Sequence, residues 1–233
     1  MKHTITALKA QQRDPKRVNV FLDGEFAFGL ARIVAAWLQV GQELSDEQIE
    51  RLKAQDIEEV AYQRALRLLN YRPRTAAEVE RRLMEQNYSA EVIRRVIERL
   101  QHNGLLDDRQ FARDWAEARA SLHPRSRRVI RLELRRKGVE EDTILQALEG
   151  LADEQALAYQ AGIRKARQLI EAGAEWKEFR VKLGQFMARK GFSYETSMAA
   201  IHSLWADVLS EEEKEGKDRI ETDKEDGRWT SEQ

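Results

Sequence analysis

Apolar residues recur every three or four positions from about residue 58 onward, whereas before residue 31 they cluster in short, β-branched and aromatic runs. "TITALKA" and then "RVNVFLDGEFAFGL" read as strands, with Asp23-Gly24 between two apolar runs as the dipeptide that favours a type I′ hairpin turn. With those residues as the turn, Phe21 faces Phe26 across the ladder. Both faces of such a small sheet are apolar, so the segment 31–38, with Trp37, is expected to cover one of them. Ser45, with Gln48 three residues on, forms a capping box that opens the next helix. This head holds no catalytic constellation and reads as a structural or docking module.

The helical remainder repeats itself. A shift of 51 residues lays Tyr71, Pro73, Arg74, Thr75, Val79, Leu83, Tyr88, Ile93 and Ile97 on Leu122, Pro124, Arg125, Ser126, Ile130, Leu134, Val139, Ile144 and Leu148. A further shift of 53 carries Ile130, Leu134, Arg136-Lys137-Gly138 and Val139 onto Leu183, Met187, Arg189-Lys190-Gly191 and Phe192, without the proline and the cap. Each unit holds three helices. In the first, Ala61, Tyr62, Ala65, Leu66 and Leu69 mark one apolar face and Val92, Ile93, Val96, Ile97 and Leu100 another, with a helix between them capped by Thr75 and Glu78. Three helices of this length bury their faces by stacking on neighbours, which predicts a mainly α chain: an elongated array of three tandem three-helix repeats after a small β-hairpin-containing module. The corresponding divisions are 1–57 (head), 58–106, 107–151 and 152–209 (repeats), and 210–233, whose dense charge and few apolar residues read as a disordered acidic tail.

Composition narrows the function classes. The 233 residues contain no cysteine, which removes disulfides, thiolate metal sites and a cysteine nucleophile together. No apolar run approaches the roughly 20 residues that span a bilayer, and no charged-then-apolar leader opens the sequence, so a cytoplasmic protein without a membrane partner is expected. The four histidines are scattered without ligand spacing, and neither GxxxxGK[ST] nor GxGxxG after a strand occurs. No enzyme activity, metal or cofactor is expected. Tyr71, Tyr88, Trp115, Trp176 and Trp205 sit at core-like helical positions and read as packing residues.

The net charge of -1 conceals a basic middle and an acidic end, with 19 Lys and Arg against 14 Asp and Glu over 61–150, and 5 against 11 over 207–233. The middle peak is "LHPRSRRVIRLELRRKG", residues 122–138. At 100° per residue Arg127, Arg128, Arg131 and Arg135 fall within an arc of about 100°. Equivalent positions in the other units are Ala76, Ala77, Glu80 and Met84, then Arg180, Val181, Gly184 and Ala188, so the scaffold does not require the stripe. Together with Arg125, Arg136 and Lys137 these arginines are the candidate surface for an acidic partner, either nucleic acid or a carboxylate-lined protein groove.

The succession "YRPRTAAEVERRLMEQNYSAEVIRRVIERLQHNGLLDDRQFARDWAEAR", then "PRSRRVIRLELRRKGV", resembles the RecX family of bacterial recombination regulators, and "RVNVFLDGEFAFGL" is similar to the extension some members carry before their repeats. The resemblance covers about residues 1–206. It implies a non-enzymatic modulator of the RecA recombinase, a three-helix repeat array that lies in the groove of a RecA filament on single-stranded DNA and limits strand exchange, ATP turnover and co-protease function. A monomer is expected, with at most a weak contact of its own to single-stranded or duplex DNA. A competing reading takes residues 75–106 as the helical half of a winged-helix DNA reader, with 89–100 as recognition helix and a β-rich wing to follow.

Overall fold

The structure is a computed structural model that describes residues 1–226. Four antiparallel strands, β1 (Lys2–Ala10), β2 (Arg17–Leu22), β3 (Glu25–Ala31) and β4 (Glu43–Ser45), form a sheet of order β3-β2-β1-β4. Asp23 and Gly24 both have positive φ, 51° and 94°, as a type I′ turn requires, and Phe21 pairs with Phe26 with ring centroids 5.9 Å apart. The expected cover is only partly right. Ala35 is buried and Val34 and Leu38 pack on the sheet, but Trp37 is 87% exposed. The first helix, α1 (Asp46–Tyr71), closes the apolar face instead through Ile49 and Leu52, and its buried Asp56 accepts hydrogen bonds from the Ala31 N–H (2.5 Å) and the Arg17 guanidinium (2.8 Å). A buried charge is tolerated because it is paired and bonded at both oxygens.

A second set of polar contacts ties the sheet to the start of α1. His3 lies with Nδ1 2.9 Å from Asp23 and Nε2 3.2 Å from Asp46, while the Thr4 N–H donates to Asp23. The Asp23 hydrogen bond raises the His3 pKa. Asp23 is held low, chiefly by the Thr4 N–H, and Asp46 chiefly by the terminal amine of Met1. A raised histidine contributes stability that is complete below its unfolded value of about 6.5 and lost as pH rises through the folded one. The lowered aspartates contribute above their unfolded value of about 3.9, a contribution lost as pH falls through the folded one. The stabilisation of the native chain over His3→Gln is therefore expected to be greatest between about pH 4 and 6.5 and to fade toward pH 9 in thermal melts; a difference independent of pH would show that this contact is idle.

Helices follow as three tandem three-helix repeats: α1, α2 (Ala76–Met84) and α3 (Ala90–His102); α4 (Asp108–Ser121), α5 (Arg127–Arg136) and α6 (Glu141–Glu149); α7 (Glu154–Glu171), α8 (Trp176–Lys190) and α9 (Tyr194–Asp226). The chain forms two compact units, residues 1–111 and 112 onward. The division expected at 57/58 falls inside α1. One face of that continuous helix serves the sheet, and its later residues Ala61, Tyr62 and Ala65 join Val79, Leu83, Ile93, Val96 and Leu100 in the first repeat's core. Both capping boxes, Ser45 with Gln48 and Thr75 with Glu78, are formed. Tyr71 departs from expectation: it is the last residue of α1 and lies 84% exposed, beyond the last turn that packing can reach.

Small polar devices recur with the repeats. Asn87, Gly138 and Gly191, at equivalent positions after each middle helix, all have positive φ (62°, 79° and 90°). Asp107 caps α4 by accepting from the Arg109 and Gln110 N–H groups, and the next residue, Asp108, accepts from the Ala76 N–H at the start of α2. The second repeat reproduces this pair: Asp153 caps α7, and Glu154 accepts from the Arg127 N–H at the start of α5. Each acid satisfies an N–H that a helix start leaves without an intrahelical partner. The third repeat has Lys177 at the position equivalent to the proline, and α8 accordingly starts one turn earlier and runs 15 residues against 10 for α5. Its core, with Leu157, Phe179, Leu183, Met187, Ile201 and Leu204, takes in Trp176 and Trp205 as packing residues 5.4 Å apart. Helix α9 continues to Asp226, so residues 210–226 are helical where composition suggested disorder; Glu and Lys are strong helix formers, and the helix is already nucleated by its packed first turns. Residues 227–233 lie outside the described residues.

Candidate partner-binding surface

Helix α5 is anchored by two fully buried residues, with Arg127, Val129 and Glu133 partly buried and the rest exposed. Ser126 caps it, accepting from the Val129 N–H at 3.3 Å, while Ile130 and Leu134 are fully buried and aim the opposite side outward. The seven predicted basic residues then divide by environment. Arg127 turns back on its own repeat, donating to the carbonyls of Leu151 (2.7 Å) and Ala152 (2.9 Å) after α6. Arg125 reaches toward Glu133 at 3.6 Å, and Lys137 lies 4.3 Å from the centre of the Trp115 ring. Arg131 and Arg135 are exposed and share one carboxylate, Glu141, at 2.5 and 3.5 Å. Arg128 and Arg136 are exposed and have no ion pair among the described residues. The candidate surface is thus four exposed guanidiniums, Arg128, Arg131, Arg135 and Arg136, two of them paired with Glu141, and three partly buried residues.

A separate basic cluster lies beside this surface, and only part of it was marked in the sequence. Glu133 accepts from the Trp115 indole N–H (3.0 Å) and from Arg119 Nε (2.7 Å), whose guanidinium also lies 4.7 Å from the Trp115 ring centre. Lys190, at the end of α8, has its pKa lowered, first by burial and then by the neighbouring Arg125 and Arg119 charges. Arg119 and Lys190 stand on different helices, 71 positions apart in sequence, and no periodicity joins them. The one signal was the repeated Arg-Lys-Gly, which places Lys190 where Lys137 stands in the preceding unit.

Other chemistry finds no comparable assembly. Among the described residues no group of three His, Asp or Glu side chains is placed to hold a metal ion, and no helix is long and apolar enough to cross a membrane. The winged-helix reading fails on its wing: α3 is followed directly by α4, and no strand follows β4 among the described residues.

The chain matches family models described as the regulatory protein RecX N-terminal domain over residues 3–45 and the RecX first, second and third three-helix domains over 61–100, 107–148 and 152–201. It is 31% identical over 215 residues to the regulatory protein RecX of Bacillus pumilus, covering 91% of this chain and 81% of that one, and 30% identical over the same shares to that of Bacillus subtilis. Among solved structures, a crystal structure of regulatory protein RecX matches with TM-score 0.68 at 27% identity, covering 88% of this chain and 99% of that one. RecX from Lactobacillus salivarius matches with TM-score 0.57 at 26% identity, covering 64% and 97%. Strand-bearing head and three successive three-helix units are matched in order, and the chain belongs to the RecX family of regulatory proteins.

Proposed function

We propose that this chain regulates the RecA recombinase by binding RecA filaments on single-stranded DNA and reducing their strand exchange, ATP turnover and co-protease action, and that it does so as a monomer with weak DNA contact of its own. Family membership supports a regulatory role toward RecA. The observation that carries the contact surface is the set of four exposed guanidiniums on α5, at a place where α2 and α8 present mainly small or apolar residues. A helix with two buried anchors and four outward cations is suited to an acidic groove, because its charges are spaced along one rigid element and only the surface pairs of Arg131 and Arg135 with Glu141 must open to meet carboxylates or phosphates. Assembling RecA on single-stranded DNA with ATP and adding this protein is expected to shorten the filaments and lower ATP turnover at stoichiometric protein. Unchanged filament length and turnover would reject the assignment.

A further inference from the structure

We infer that Arg119, Arg125 and Lys190 form a binding site for a phosphate oxyanion at the meeting of α4, α5 and α8. Arg119 lies on α4, Arg125 just before the start of α5 and Lys190 at the end of α8, and the backbone holds the last two segments together: the Ser126 N–H donates to the Lys190 carbonyl at 3.2 Å, and Gly191 packs so tightly that a Cβ there would collide with Val129 Cγ2 and Ser126 Oγ. Among the described residues Glu133 is the only carboxylate paired with any of the three. Their donors are largely unspent. Arg119 gives Nε to Glu133, Arg125 stands 3.6 Å from it, beyond hydrogen-bond reach, and the buried Arg125 Nε has no acceptor. Lys190 makes no ion pair among the described residues and has Phe186, 5.4 Å from its Nζ, beside it. Like charges held together where water is partly excluded disfavour one another, in accord with the lowered pKa of Lys190.

An anion between them removes that repulsion. Three cations against one carboxylate leave two positive charges in excess, which suits an oxyanion of more than one charge or two successive phosphodiesters. Guanidinium forks match phosphate oxygens, and an ammonium adds a point charge. The inference does not depend on RecA binding, since the outward arginines of α5 take no part in it.

The test follows the Trp115 indole N–H resonance, assigned with Trp115→Phe, in the full chain at constant ionic strength set with chloride. Inorganic phosphate is expected to shift it saturably, because Glu133 and Arg119, which both contact the Trp115 indole, border the site. Lys190→Gln and Arg125→Gln are each expected to weaken the response at least tenfold, and Lys190→Arg to retain it. Lys190→Gln, which relieves the repulsion, is also expected to melt higher than the parent without phosphate, so a folding defect does not imitate loss of binding. A short oligothymidylate that gives the same shift at lower concentration identifies a nucleic-acid backbone as the source; a response to inorganic phosphate alone identifies a free or monoester phosphate. No saturable shift with either probe, an undiminished shift in both Gln variants, or an equal shift with polyglutamate would overturn the site.

Discussion

Replacing Arg128, Arg131, Arg135 and Arg136 together by Gln is expected to weaken binding to RecA filaments by on the order of 100-fold at low salt, about 3 kcal/mol, while leaving the fold in place. The four side chains are exposed, and the ion pairs of Arg131 and Arg135 with Glu141 are of the surface kind that contributes roughly 0 to 1 kcal/mol each. Gln keeps the helix propensity of Arg nearly unchanged. Residual binding should depend less steeply on salt. Arg127→Gln is expected to behave in the opposite manner, because its guanidinium holds the Leu151 and Ala152 carbonyls: stability falls by roughly 1–3 kcal/mol, and binding by the folded fraction changes little. Glu80→Ala, at the position in α2 equivalent to Arg131, serves as the control with little effect. Filament pull-down together with urea denaturation of each variant separates these outcomes. A fourfold Gln variant that binds and inhibits as well as the parent would reduce the stripe to a solvated face.

Two glycines of the α8 segment should respond oppositely to the same substitution. Gly191 has φ of 90°, which costs an L residue roughly 1–2 kcal/mol, and a methyl there collides with Val129 and Ser126, adding about 1–3 kcal/mol of overpacking. Gly191→Ala is therefore expected to lower stability by roughly 2–5 kcal/mol. Gly184 lies inside α8, and a Cβ there meets only Ile201 Cδ1 at 3.8 Å, an ordinary contact. Gly184→Ala should raise stability by up to about 1 kcal/mol, because alanine loses less backbone freedom in a helix. Urea midpoints of the two variants check both signs; destabilisation by Gly184→Ala would mean that α8 depends on the open space beside it.

By itself the sequence determined everything that depends on neighbours along the chain. The Asp23-Gly24 turn, the capping boxes at Ser45 and Thr75, and the apolar faces that became the first repeat's core follow from local φ preferences and periodicity, which act within a few residues. The repeat itself was legible because one packing problem is solved three times with similar residues. Tertiary structure decided what depends on distant partners. Strand β4 is three residues long and exists because Lys2, His3 and Thr4 pair with it, so no local signal announces it. Trp37 and Tyr71 have the residue type of a core, yet lie outside because Ile49 and Leu52 take the sheet's face and α1 ends at Tyr71. Periodicity placed the arginines of α5 on one side of a helix, but only the position of the loop after α6 turned Arg127 inward, and only the end of α8 brought Lys190 to Arg125 and Arg119. A helix face is a property of spacing; which charges on it remain free is a property of whatever the fold packs beside it.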